Sequence, residues 1–204
     1  MEIKNLVLGE LQSNCYLLST EKAAIVIDPG YNSKIVLDFL LSNKDKERLI
    51  LLTHGHFDHI GGALNLRNDT NTKIAIGQND ADFPTDPNIN LSAQFGTPLE
   101  PFNADILLCD NQKITVGDIT FTVIETPGHT PGGLCFLIDG YLFSGDTLFY
   151  RSIGRTDFPK GSFFELKQSI ERLYTLNPDL TVLSGHGPET KLGDEKLYNP
   201  FVRG

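Results

Sequence analysis

Three of the five histidines of this 204-residue chain, His54, His56 and His59, fall within six positions of the segment LLTHGHFDHIGG, and Asp58 stands among them. Imidazole nitrogens and carboxylate oxygens together suit zinc, and they suit iron or manganese as well. His54 and His56, two residues apart, can reach one ion from an extended strand end. Asp58 and His59 follow as the chain turns toward a helix, and they point to a second ion. An isolated histidine in a loop is usually a surface residue or a hydrogen-bonded structural one. A compact H-x-H-x-D-H group matches metal chemistry better than turn chemistry.

The other two histidines share one local setting. His129 in ETPGHTPGG and His186 in LSGHGPE each follow a strand-like run and are bracketed by glycine and proline. Glycine admits close backbone approach and proline restricts the loop, so together they can aim an imidazole from a strand end. Asp146 in YLFSGDTLF lies just beyond another apolar run, and its two oxygens can bridge two cations. The grouping predicted is His54, His56 and His129 on one metal and Asp58, His59 and His186 on the other. Asp146 and a solvent-derived hydroxide would bridge them, at a separation of about 3.5–4 Å. Every histidine is then used, and two divalent ions, zinc in the first instance, are the expected cofactors.

The elements that must hold these residues are short. IKNLVL, NCYLLS and AAIVID read as strands, the last stopping at Pro29-Gly30. Residues 33–43 place Ile35, Val36, Phe39 and Leu40 at helical spacing, with Ser33 available as N-cap. RLILLT is a strand apolar on both faces, as expected where helices cover a sheet. A short helix through ALNLRN and a strand at KIAIG follow. Residues 78–105 read as an irregular loop with room for a short helix, either one wall of a substrate groove or a surface excursion. KITV, DITFTVIETP, GGLCFLID and YLFSGD are further strands, then a helix over 161–176 and a last strand TVLSGHG. Two mixed halves of this kind pack as two sheets face to face with helices outside, an α+β arrangement. No internal repeat or interdomain linker is visible, so residues 1–204 are expected to form one domain.

Composition narrows the partners. Acidic residues outnumber basic ones 26 to 17, for a formal charge of -9, and no Lys/Arg run is concentrated anywhere. Such a surface repels a phosphate backbone, so no nucleic-acid partner is expected, although bound cations can reverse the potential locally. Cys15, Cys109 and Cys135 form no CxxC pair and cannot all pair internally, which suits a reducing compartment. Without a leader-like N-terminus or an apolar run of membrane length, a soluble, cytoplasmic protein is expected. Oligomeric state is not legible.

The ordered set THGHFDHIGG, PGHTPGG, FSGDTLF and SGHGPE resembles the successive active-site motifs of the metallo-β-lactamase superfamily. That resemblance implies an αββα four-layer sandwich with both metals at one edge of the paired sheets. SIGRTDFPKGS and the ending GHGPETKLGDEKLYNPF are similar to small glyoxalase-II-like hydrolases. It implies a metal-dependent thioesterase acting on a small-molecule, glutathione-linked substrate such as S-lactoylglutathione, with Asp58 and Asp146 catalytic. The larger members carry a C-terminal helical domain, and none is expected here. Where they use a lysine and a tyrosine after the bridging aspartate, this chain has Arg155 and Asp157. Arg155 can pair with a substrate carboxylate or form a salt-bridged loop with Asp157. GRTDF also resembles persulfide dioxygenases, whose single iron would map to His54, His129 and Asp146. A noncatalytic metal-stabilised protein is the third reading. True class B β-lactamases and RNase Z fit less well.

Overall fold

The computed structural model describes residues 1–204 throughout. One sheet runs in chain order: β1 (Glu2–Leu8), β2 (Ser13–Ser19), β3 (Ala23–Ile27), β4 (Glu47–Leu51), β5 (Lys73–Gly77) and β6 (Ile106–Leu108). It is antiparallel through β3 and parallel from β3 to β6. The second sheet comprises β7 (Lys113–Val116), β8 (Ile119–Glu125), β9 (Leu134–Ile138) and β10 (Tyr141–Gly145), in antiparallel succession. A small hairpin, β11 (Leu148–Phe149) and β12 (Ser152–Ile153), then leads away. β13 (Thr181–Ser184) returns parallel to β10, and β14 (Thr190–Lys191) edges the sheet.

Alternation along the strands builds the layers. Ile25, Ile27, Leu49 and Leu51 face Phe121, Val123, Phe136 and Phe143 of the other sheet in the central core. Their neighbours Val26, Ile50 and Leu52 point the other way, against Val36 and Leu40 of α1 (Lys34–Ser42) and Leu66 of α3 (Ala63–Thr70). On the far side Ile124, Cys135, Leu142 and Val182 meet Leu166, Ile170 and Leu173 of α4 (Phe163–Leu173). The order is helix, sheet, sheet, helix, as the αββα expectation requires. Phe121, Phe136 and Phe143 are wholly buried, and each such side chain stabilises the stack by roughly 1.5–3 kcal/mol. At α4, Ser162 accepts the Glu165 N–H at 3.3 Å and Arg172 lies in the last turn, so cap and dipole both favour the helix.

Several details differ from the sequence expectation. Ser33 precedes α1 without making a side-chain cap. Residues 78–105 have the short helical character allowed for, at Gln78–Asp80 and Phe83–Thr85, but they are no loose surface excursion, since they bury Phe83, Leu91 and Phe102. β6, the β11–β12 hairpin, β14 and α5 (Leu192–Tyr198) were not foreseen. α5 has no apolar stripe to announce it. Its wholly buried Glu195 anchors it by accepting from the Arg151 N–H, Thr190 Oγ1 and Asn199 Nδ2. No helix is long and apolar enough to cross a membrane.

Candidate metal centre

All seven residues singled out by spacing converge at one end of the paired sheets, each just beyond the C-terminal end of a strand. β4 runs into Thr53 and His54, and His56 begins the single turn α2 (Phe57–Ile60), which presents Asp58 and His59. His129 follows β8, Asp146 follows β10, and His186 follows β13. His54 and His56 thus sit in the turn beyond the strand, three and five residues past its last residue, not on its extended end as expected.

Two separate ligand groups form, and a third, Asp28 with His54 and His59, shares one histidine with each of them. The ligand atoms of His54, His56 and His129 lie within 4.8 Å of one another, and so do those of Asp58, His59 and His186. Asp146 stands between the groups: one oxygen is 3.4 Å from His59 Nε2, the other 3.5 Å from His129 Nε2 and 3.6 Å from His186 Nε2. The three-histidine group is deeply buried. The second group is the open side, where the His186 side chain is 28% exposed while that of His59 is 0%.

Hydrogen bonds on the outer faces set the ring orientations. His129 Nδ1 donates to the Arg155 carbonyl at 2.7 Å, leaving Nε2 as a lone pair toward the centre. Thr53 Oγ1 donates to Asp28 Oδ2 at 2.6 Å and therefore accepts from His54 Nδ1 at 3.1 Å. His54 Nε2 is then a bare lone pair, buried with no hydrogen-bond partner, as is Asp146 Oδ1. His59 Nδ1 donates to Asp28 at 3.0 Å, which frees its Nε2 for the centre. Such outer partners fix the tautomer that a metal ligand needs. His56 is turned the other way: its Nδ1 meets His129 Nε2 at 2.9 Å, and its Nε2 is buried without a partner.

The protonation pattern follows. Burial, then the neighbouring imidazoles, pushes His54 and His56 well below the usual histidine value, so both are neutral donors. Burial also lowers His129. Burial opposes the charged form of His59, but Asp58, Asp146 and Asp28 outweigh it and raise His59 to about 10. His186 is raised in the same way by Asp58 and Asp146 against the effect of its burial. Burial alone would raise Asp58, yet His59 and His186 hold it below the usual carboxylate range. Convergent nitrogens at 2.9 Å and 3.3 Å, orphaned buried acceptors and carboxylates paired with imidazoles all fit a dinuclear cation site. A cation takes the place of the protons that otherwise hold such nitrogens together, and its binding releases them.

Two residues of this network were missed from sequence. Asp28, 2% exposed, accepts the Thr53 N–H at 2.7 Å as well as the bonds above, from a backbone φ of 52° that aspartate tolerates better than most residues. Asp80 is the other and is wholly buried. Arg155 stays on the rim. It is paired with Asp157 at 2.8 Å, 65% exposed, and its guanidinium lies 4.2 Å from the Phe158 ring centroid, a ring that packs against His56. The salt-bridged arrangement of that loop is the one adopted. On the open side, a cavity of about 480 Å³ is lined by Asp58, Phe57, Phe95, Tyr31, Leu11 and Leu99 among others, so the long 78–105 segment does supply part of its wall.

Comparison with known proteins agrees with this geometry. The family model described as the metallo-beta-lactamase superfamily matches residues 8–186. Hydroxyacylglutathione hydrolase GloC of Haemophilus influenzae is 36% identical over 213 residues, covering 99% of this chain and 98% of the relative. The crystal structure of BLEG-1 B3 metallo-beta-lactamase superposes with a TM-score of 0.92 at 37% identity, covering 100% of each chain. A protein solved in a di-iron-bound form superposes with a TM-score of 0.87 at 32% identity, covering 98% of this chain and 100% of the other.

Proposed function

This chain belongs to the metallo-beta-lactamase superfamily and is a metal-dependent enzyme, and on that premise we propose that it hydrolyses a thioester, with S-lactoylglutathione as the first candidate. The observation that carries the hydrolytic reading is the 36% identity, over nearly the full length of both chains, to a hydroxyacylglutathione hydrolase. The second complete ligand group, Asp58, His59 and His186, gives that reading the residues for a second ion. The full-length similarity to a hydroxyacylglutathione hydrolase supports the substrate. In this reading His54, His56 and His129 hold one ion, Asp58, His59 and His186 the other, and Asp146 both. Residues 1–204 act as one domain, in the cytoplasm.

When bound, two divalent cations supply Lewis acidity for the carbonyl and make water nucleophilic at neutral pH. The chain's own groups do the rest. Asp58, ionised and on the open side, accepts a hydrogen bond from the attacking water and orients it toward the carbonyl carbon. Asp28, Thr53 and the Arg155 carbonyl keep three imidazoles in one tautomer. Arg155, whose Nε and Nη2 are held by Asp157, offers its remaining N–H groups at the rim to a carboxylate of the thiol half. The water oxygen bonds to the carbonyl carbon and the C–S bond breaks, giving a carboxylate, a thiol and one proton.

The likeness to a B3 metallo-beta-lactamase favours a second reading, attack on a β-lactam carbonyl by the same groups. Purified protein, analysed for metal and assayed on S-lactoylglutathione, a chromogenic cephalosporin and glutathione persulfide, separates the possibilities. About two metal ions per chain with free-thiol release and no oxygen uptake is the expected result. Cephalosporin cleavage without thiol release transfers the assignment to the second reading. A single iron with oxygen consumption overturns both.

A further inference from the structure

The three-histidine group draws its ligands from both sheets, so something must hold the two sheet ends in register there. His54 and His56 come from the loop after β4 and His129 from the loop between β8 and β9. Asp80, in the turn after β5, reaches both loops. Its Oδ2 accepts the N–H of Gly55, the residue between His54 and His56, at 3.0 Å. Its Oδ1 accepts the N–H of Gly132, three residues past His129, at 2.6 Å. One buried carboxylate therefore ties the two ligand loops directly together. A backbone bond from the Leu134 N–H to the Thr53 carbonyl, 2.7 Å, runs alongside.

The packing leaves little latitude. A Cβ at Gly132 would lie 2.3 Å from the Asp80 backbone nitrogen, and one at Gly55 would lie 2.2 Å from Phe83 Cβ. Glycine at both positions is what lets the loops close on the segment that carries Asp80. Burial raises Asp80 to about 6 against the opposing effect of its hydrogen bonds, so the carboxylate remains mostly ionised at neutral pH and accepts from both amides. The second ligand group contains neither Gly55 nor Gly132, and its outer partner is Asp28.

We propose that Asp80 is a positioning residue for the three-histidine metal site, holding His54, His56 and His129 in binding geometry by clamping Gly55 to Gly132, with no equivalent part in the second site. The inference rests on the two-ion reading above, which the stoichiometry of the unaltered protein tests separately. The experiment is a cobalt(II) titration of the metal-free full chain followed by absorption and by chelator competition, with thermal melts of the same samples. His54→Ala and His186→Ala, each deleting one group, identify which binding step belongs to which site. In Asp80→Asn one of the two amides loses its acceptor, and affinity at the three-histidine site is expected to fall roughly 10- to 100-fold, while the second step keeps its constant. Asp80→Ala, which removes both acceptors and adds no volume, is expected to weaken the same step at least as much, and it serves if Asp80→Asn does not fold. Equal weakening of both steps, accompanied by a general loss of thermal stability, overturns the proposal in favour of a purely structural role. Unchanged affinity at both steps overturns it too. Fewer than two cobalt ions on the unaltered protein would instead overturn the two-ion reading itself.

Discussion

Replacing Asp28 by Asn tests whether the second ligand group depends on a carboxylate that never faces the centre. Asp28 accepts three bonds: Thr53 N–H at 2.7 Å, Thr53 Oγ1–H at 2.6 Å and His59 Nδ1–H at 3.0 Å. Asparagine keeps the shape and tolerates the left-handed backbone at that position, but it offers one acceptor oxygen and turns an N–H toward the remaining donors. At least one buried bond to a charged group is lost, about 1.5–3 kcal/mol. For a chain of this size each kcal/mol lowers Tm by roughly 2–4 °C, so a fall of roughly 3–12 °C is expected. The functional effect is more specific. Without an acceptor at Nδ1, His59 is free to carry its proton on Nε2, the nitrogen that faces His186 at 3.3 Å. Affinity for the ion of the Asp58, His59 and His186 group should drop about 10- to 100-fold, while the three-histidine step is less affected, since Asp28 reaches His54 only through Thr53 and does not touch His56 or His129. Chelator competition reads the two constants and a melt reads the stability. Two tight, unchanged constants in Asp28→Asn would refute the argument that an outer carboxylate selects the ligating nitrogen.

Three further outcomes follow from the same geometry. Asp146→Asn, which keeps the volume but removes the charge between the two groups, should lower kcat/KM for thioester hydrolysis at least 100-fold, about 2.7 kcal/mol of transition-state stabilisation; full turnover with unchanged metal content would exclude Asp146 from the centre. Arg155→Ala should raise KM for a carboxylate-bearing thiol with little change in kcat or Tm, because the Arg155–Asp157 pair is exposed; steady-state kinetics on glutathione thioesters against a thioester of an uncharged thiol decides it. In the metal-free protein, His59 is raised from 6.5 to about 10. Its contribution to stability is therefore fully present below pH 6.5 and is lost as pH rises toward about 10. Melts of the metal-free protein should fall across that window, and calorimetry in buffers of different ionisation enthalpy should register proton release as metal binds.

The seven candidate ligands that the fold brings together were legible because each carries a local signal. His54, His56, Asp58 and His59 are dense in sequence, and His129, Asp146 and His186 follow apolar runs and have glycine beside them. The layers were legible for a related reason: β3 and the end of β4 are unbroken apolar runs buried on both faces, while β8 largely alternates, and both patterns are written into the strands themselves. Asp28 and Asp80 carry no comparable mark. Asp28 ends a strand before Pro29-Gly30 and reads as a turn residue, and its partners are 25 and 31 positions away. Asp80 sits in a polar loop, with partners 25 and 52 positions away. A hydrogen bond across that separation depends on how two sheets meet, and neither periodicity nor composition encodes it. α5 was missed for another reason: its seven residues bury only Leu192 and Glu195, too few to write a periodic apolar face.

What the two missed aspartates add is a division of labour that the ligand list conceals. Asp80 joins the loops that supply the three-histidine group, one from each sheet, while Asp28 orients His59 in the group on the open side. Asp146 alone faces both. On the proposed two-ion reading, an ion in the deep group would depend on how the sheets are clamped. An ion in the open group would depend on the His59 tautomer, so the two should be weakened to different degrees by Asp80 and Asp28 substitutions. Substrate would then approach from the side of His186, whose side chain is 28% exposed. Turnover should accordingly be lost through either site while folding survives the loss of one ion. This follows from where the buried carboxylates lie: the central core that joins the sheets is built from Ile, Leu, Val and Phe and contains neither ligand group.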